Sequence, residues 1–92
     1  MPTYEINGAN VKTRAAFWEQ YVSVVQPVGA EDFGRNLDAL NDALAGGPGF
    51  PGENCILRIK SADEMSRCVG TDFIMHLRDI FDNSESATLE LL

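Results

Sequence analysis

Cationic side chains are scarce in this sequence. Seven lysines and arginines stand against fourteen aspartates and glutamates among 92 residues, a net charge of −7 with the single histidine neutral. Such a balance repels nucleic acid and anionic membrane and favours basic surfaces as partners. Cysteine occurs only at Cys55 and Cys68, too seldom for a disulfide framework. Both are expected to be buried free thiols, each behaving as a small hydrophobe. No apolar run approaches the ~18 residues that a membrane span needs. The opening MPTYEINGANVKTR has no basic segment leading into an apolar one. It does not read as a secretory leader, and a cytoplasmic protein is expected. Repeats and low-complexity tracts are absent too, and the length suits one domain.

What is present is a series of short elements. Residues 3–6 alternate polar and apolar and read as a strand, and Asn7-Gly8 after them is a turn signal. That pair favours a hairpin, which Ala9 to Val11 would briefly extend. Thr13 reads as the N-cap of a helix over 14–25, with Phe17, Trp18, Tyr21, Val22 and Val25 on its core face and Pro27 beyond its end. A loop, 26–34, leads to a second helix over 35–45. Its stripe is Leu37, Leu40 and Leu44, and Gly46-Gly47 closes it. After the loop GGPGFPG, 46–52, the segment CILRIK, 55–60, reads as a buried strand. Ser61 with Glu64 fits a capping box for a short third helix. Gly70 separates that helix from a fourth over 72–83, capped by Thr71 or Asp72, with Phe73, Leu77, Ile80 and Phe81 as its stripe. Asn83-Ser84 ends it, and TLELL, 88–92, is a last strand. The order β-α-α-β-α-α-β predicts an α/β two-layer sandwich, a three-stranded parallel sheet with helices packed on one face.

The chemistry on offer is thin. Gly47-x-Gly49-x-x-Gly52 spells a dinucleotide fingerprint, but that motif needs a strand before it and a helix after it. Here the order is reversed, and Pro48 and Pro51 remove two backbone donors. A connecting loop is the plainer reading. His76 has no ligand or nucleophile at useful spacing, so partial packing is expected of it. Trp18 sits on a core stripe and is expected inside. Asp38 and Asp42 remain. They lie one turn apart, about 40° around the helix, nearly opposite the leucine stripe. Like charges so placed repel, and aspartate is a poor helix former past the first turn. Arg35 could soften the repulsion in cis. A solvated face is one reading of the pair. A magnesium site is another, though it lacks a third acid and a phosphate-gripping lysine. A surface that meets a partner's cations is the third.

The block DFGRNLDALNDAL, 32–44, resembles the signature of the barstar family, intracellular inhibitors of barnase-type ribonucleases. The matching positions are Phe33, Gly34, Asn36, Leu37, Asp38, Ala39, Leu40 and Asp42, and YEING resembles the family's first strand and turn. The order of elements agrees, and the likeness spans the whole chain. It implies a non-catalytic protein, without cofactor or metal, that plugs a basic microbial ribonuclease one-to-one. By resemblance Asp42 takes the position of the scissile phosphate and accepts charge-assisted hydrogen bonds. Asp38 meets an arginine beside it, Gly34 lets the loop backbone come close, and Asp79 on the fourth helix adds an acid. Asp32, Phe33, Asn36 and Asn41 complete the expected partner-binding set. The chain departs from the pattern at Asp32 and Asn41, where barstar itself has aromatics. Its loop 26–34 is longer and richer in glycine, and its cysteines are placed differently. The implied target is therefore a barnase-type enzyme, a guanyl-specific streptomycete-type ribonuclease or a nuclease toxin. An acidic module for some other basic protein is the alternative, and a magnesium enzyme a more distant one.

Overall fold

The structure, a computed structural model, describes residues 2–52 and 54–92. Three strands, β1 (Thr3–Asn7), β2 (Cys55–Lys60) and β3 (Ala87–Leu91), form one sheet in the order β1-β2-β3. Both pairings are parallel, with Ile6 opposite Ile59 and Leu57 opposite Leu89. Strand alternation decides the faces. Ile6, Cys55, Leu57, Ile59 and Ala87 are buried against the helices. On the other face Arg58 meets Glu90 at 2.8 Å and Lys60 approaches Glu5 at 3.7 Å. This is the expected two-layer α/β sandwich. The crossovers supply α1 (Arg14–Val25), α2 (Leu37–Leu44), α3 (Ala62–Val69) and α4 (Thr71–Asp82).

Local chemistry explains where α1 begins and ends. The Thr13 hydroxyl accepts the Ala16 N–H at 3.0 Å. Gln26, left-handed at φ 50°, returns its N–H to the Val22 carbonyl before Pro27. Phe17, Trp18, Tyr21 and Val25 are buried. Phe17, Trp18, Tyr21, Phe33 and Phe73 form an aromatic cluster with centroids 4.9–6.3 Å apart, edge-to-face except for the tilted Tyr21–Phe33 pair. Offset contacts of that kind add to the burial of the rings.

Elsewhere the ends differ from expectation, for reasons that lie outside the local sequence. Asn7-Gly8 makes no hairpin. The Asn7 side chain accepts the Ala9 N–H and opens a 3-10 turn, Gly8–Asn10, because β1 pairs with β2 instead. Ser61 is the N-cap residue of α3, as expected, but its side chain makes no capping hydrogen bond. It is left-handed, and the first N–H of the helix, on Ala62, donates to the Leu92 carbonyl at 3.0 Å. Gly70, at φ 98°, is the N-cap of α4, so Thr71 and Asp72 lie inside it. Asp72 pairs instead with Arg14 at 3.2 Å. Helix α2 starts two residues later than predicted, since Arg35 is left-handed (φ 55°) and Asn36 is the cap. Strand β3 lies one residue earlier than 88–92.

Both cysteines are free, but only Cys55 is buried. Cys68 is exposed, off the Ala62, Met65, Val69 stripe that α3 turns inward. Burial pushes the Cys55 thiol up from its ordinary pKa. His76, expected to pack in part, is exposed on α4 beside the stripe of Phe73, Leu77, Ile80 and Phe81.

Candidate functional site

Helix α2 divides cleanly. Leu40, Ala43 and Leu44 are buried, Leu37 partly so, and Asp38, Asn41 and Asp42 are exposed. The Asn36 side chain fixes where the helix starts, its Oδ1 accepting the Ala39 N–H at 2.7 Å. Asp38 then falls in the first turn, where the helix dipole favours an acid. Asp42 is a turn further on and has no such compensation. The ion pairs found among the described residues involve neither aspartate. Arg35 therefore forms no ion pair with either, and the left-handed backbone there takes it off the helix. No lysine or arginine occurs between Arg35 and Arg58, so α2 carries no cation of its own.

The loop in front is braced from below. Gly29 (φ 73°) opens a 3-10 turn, Ala30–Asp32, that leaves Asp32 exposed. Phe33, expected on the partner face, is instead 6% exposed and packs on Trp18 and Tyr21 at 5.8 and 5.5 Å. Its ring is large and apolar and the aromatic cluster lies directly beneath, so it anchors the loop from inside. Gly34 is exposed and lies close on α2, where a Cβ would meet that of Ala39 at 3.1 Å. Asn36 Nδ2 donates to the Gly34 carbonyl at 3.2 Å. Both polar ends of Asn36 are thus engaged, and it positions the loop rather than offering a free group.

The loop behind α2 is tied to the loop in front. Gly47 donates to the Asp42 carbonyl at 3.0 Å and Gly46 to Ala43 at 2.9 Å, which ends the helix. Val28 and Phe50 form an antiparallel bridge, with Gly49 donating to the Val28 carbonyl at 2.8 Å. The Tyr21 hydroxyl, on a side chain 1% exposed, donates to the Gly49 carbonyl at 2.9 Å. Tyr21 and Gly49 thus hold the frame around α2, and sequence reasoning missed both. Tyr21 looked like one more stripe residue, and GGPGFPG like slack chain.

Burial, and to a lesser degree the neighbouring Cys55 and Tyr4, lift the Tyr21 phenol far above its usual range. The neutral phenol is the form the fold stabilises. Its contribution is fully present below the unfolded value of about 10 and is lost as pH rises beyond it. Urea midpoints should therefore fall more steeply above about pH 10 in the parent than in Tyr21→Phe. At neutral pH that variant should lose about 1–2 kcal/mol by leaving the Gly49 carbonyl unpaired. Parallel alkaline declines in the two proteins would place the titration elsewhere.

Asp79 stands on α4, which packs against α2, and is exposed. Its carbonyl receives both the N–H and the Nδ2 of Asn83, at 3.1 and 3.0 Å. Its neighbour Ile80 shares a cleft with Asn41. The structure therefore places Asp38, Asn41 and Asp42 on one face, Asp32 and Gly34 on the loop before it, and Asp79 on the adjoining helix. Among the described residues no three His, Cys, Asp or Glu side chains are grouped as metal ligands, and no helix is long and apolar enough to cross a membrane. A family model described as Barstar (barnase inhibitor) matches residues 1–90. No curated protein matches the chain.

Proposed function

The chain belongs to the Barstar family, and on that premise we propose that it inhibits a small basic microbial ribonuclease by covering its active site with α2 and the loop before it. One observation carries the reading. Asp38 and Asp42 stand exposed, one turn apart and in none of the ion pairs among the described residues, on a helix that two braced loops hold in place. Their mutual repulsion costs the helix stability. A pocket built of arginine, lysine and histidine around a phosphodiester gains a ready-made substitute. Asp42 takes the place of the scissile phosphate, Asp38 pairs with an arginine beside it, and both accept short ionic hydrogen bonds. Gly34 presents bare backbone to the rim of the pocket. The inhibitor performs no chemistry. It works one-to-one, in the cytoplasm of the cell that makes the enzyme. Its target is a barnase-type or guanyl-specific streptomycete-type ribonuclease, or a nuclease toxin.

The direct test is an RNA-cleavage titration against barnase and against a streptomycete-type guanyl-specific ribonuclease. Cleavage by at least one should vanish at a single equivalent of inhibitor. Association should also slow as salt is raised from about 0.05 to 0.5 M, because a −7 protein steers toward a cationic pocket only over a Debye length. If neither enzyme is inhibited, and the chain captures no nuclease from its producing cells, the reading falls. An acidic module for another basic protein then takes its place.

A further inference from the structure

The C-terminal ends of α2 and α4 converge on a cleft of about 320 Å³. Leu44, the last residue of α2, and Ile80 of α4 form its apolar floor. Asn41, Asn83, Glu85 and Ser86 supply its polar walls, and no cationic side chain among the described residues lines it. Three features give it one sign of charge. Two helices end here, each with the negative pole of its dipole toward the cleft. Asn83 commits its Nδ2 to the Asp79 carbonyl, which leaves its side-chain oxygen as an acceptor. Glu85 takes part in none of the ion pairs among the described residues. The segment that carries Glu85 is also held, because the Ser84 hydroxyl accepts the N–H groups of Ser86 and Ala87 at 3.1 and 3.2 Å.

An apolar floor under a wall of acceptors suits one side chain above others. Arginine brings a three-carbon stem and a planar fork of five donors, more weakly hydrated than an ammonium. The cleft also adjoins the anionic face, since Asn41 precedes Asp42 on α2 and lies about 60° around the helix from Asp38. We propose that this cleft is a specificity pocket that takes one arginine side chain of the protein docked on α2. The stem lies on Leu44 and Ile80, and the guanidinium meets Glu85 and the amide oxygens of Asn41 and Asn83. The source of the arginine rests on the ribonuclease reading above; the pocket's preference for a guanidinium does not.

The test has two arms. In the first, the isotopically labelled chain is titrated with Nα-acetyl-arginine amide and with Nα-acetyl-citrulline amide, its neutral isostere. Signals of Asn83, Glu85 and Ser86 should shift saturably with the arginine probe, barely with citrulline, and not in Glu85→Gln. Equal shifts with both probes, or shifts confined to Asp38 and Asp42, overturn the proposal. In the second arm, Glu85→Gln should weaken the complex with the inhibited ribonuclease about tenfold, the scale of one ionic hydrogen bond. That loss should disappear when one arginine of the ribonuclease is replaced by alanine. Asn41→Trp, which fills the cleft, should weaken the same complex. A chain that inhibits a ribonuclease yet ignores the probe and tolerates Glu85→Gln refutes the pocket alone. A chain that binds the probe but inhibits no nuclease refutes only the functional reading.

Discussion

Asp42→Ala should weaken inhibition more than any other substitution on α2, while leaving the free protein slightly more stable. Truncating one partner of a desolvated, hydrogen-bonded charge pair at an interface costs about 2–5 kcal/mol, the barnase–barstar complex being itself the reference system for such couplings. That is about thirty- to several-thousand-fold in affinity. Most of it should appear as faster dissociation, since the enzyme's cations are left buried without a counterion. The stability gain has a separate origin. Asp42 takes part in none of the ion pairs among the described residues, repels Asp38 one turn away, and is a worse helix former than alanine. Its removal should stabilise by several tenths of a kcal/mol. Asp38→Ala should come second in affinity and differ in stability. Asp38 occupies the first turn, so its loss surrenders a favourable dipole contact as it relieves the repulsion. Inhibition titrations and urea melts on the same variants separate the two effects. If both variants inhibit like the parent, the site is somewhere other than α2.

The acids could be read from the sequence because two like charges one turn apart break a local rule. Helix α1 was readable for the opposite reason: its cap, stripe and terminator all lie within fifteen residues of chain. Features set by distant partners were not readable. At the start of α3 the Ala62 N–H donates to the Leu92 carbonyl, thirty residues on, and the Ser61 side chain makes no bond of the capping box that Ser61 and Glu64 spell. Asn7-Gly8 signals a hairpin, but β1 pairs with a strand some fifty residues away. Phe33 sits inside a block whose resemblance pointed outward, and only the cluster of Trp18 and Tyr21 beneath explains why it turns in. The frame around α2 was hidden for the same reason. It depends on one hydroxyl from α1 reaching one carbonyl in a glycine-rich loop. The roles of Asp38 and Asp42 came from resemblance, not from periodicity, which left a solvated face equally open.

Gly49 is where that frame is most exposed to a single atom. It adopts φ 93°, and a Cβ there would lie 2.5 Å from Phe33 Cδ1 and 2.8 Å from Cγ. Phe33 has nowhere to retreat, because Trp18 and Tyr21 already pack on its ring. Gly49→Ala should therefore combine left-handed strain with overpacking and destabilise by about 2–4 kcal/mol. The urea midpoint should drop with little change in slope. Gly46→Ala is the control. It is equally left-handed, at φ 110°, but a Cβ there meets nothing within 4 Å, so only the conformational cost of about 1–2 kcal/mol applies. The difference between the two isolates the brace. A side chain at Gly49 pushes Phe33, and Phe33 carries the loop that presents Asp32 and Gly34. Gly49→Ala should thus also loosen inhibition at temperatures where the variant is still folded, and Gly46→Ala should do so less. Equal destabilisation by the two alanines would mean that Phe33 yields freely, and that the loop before α2 is not held from below.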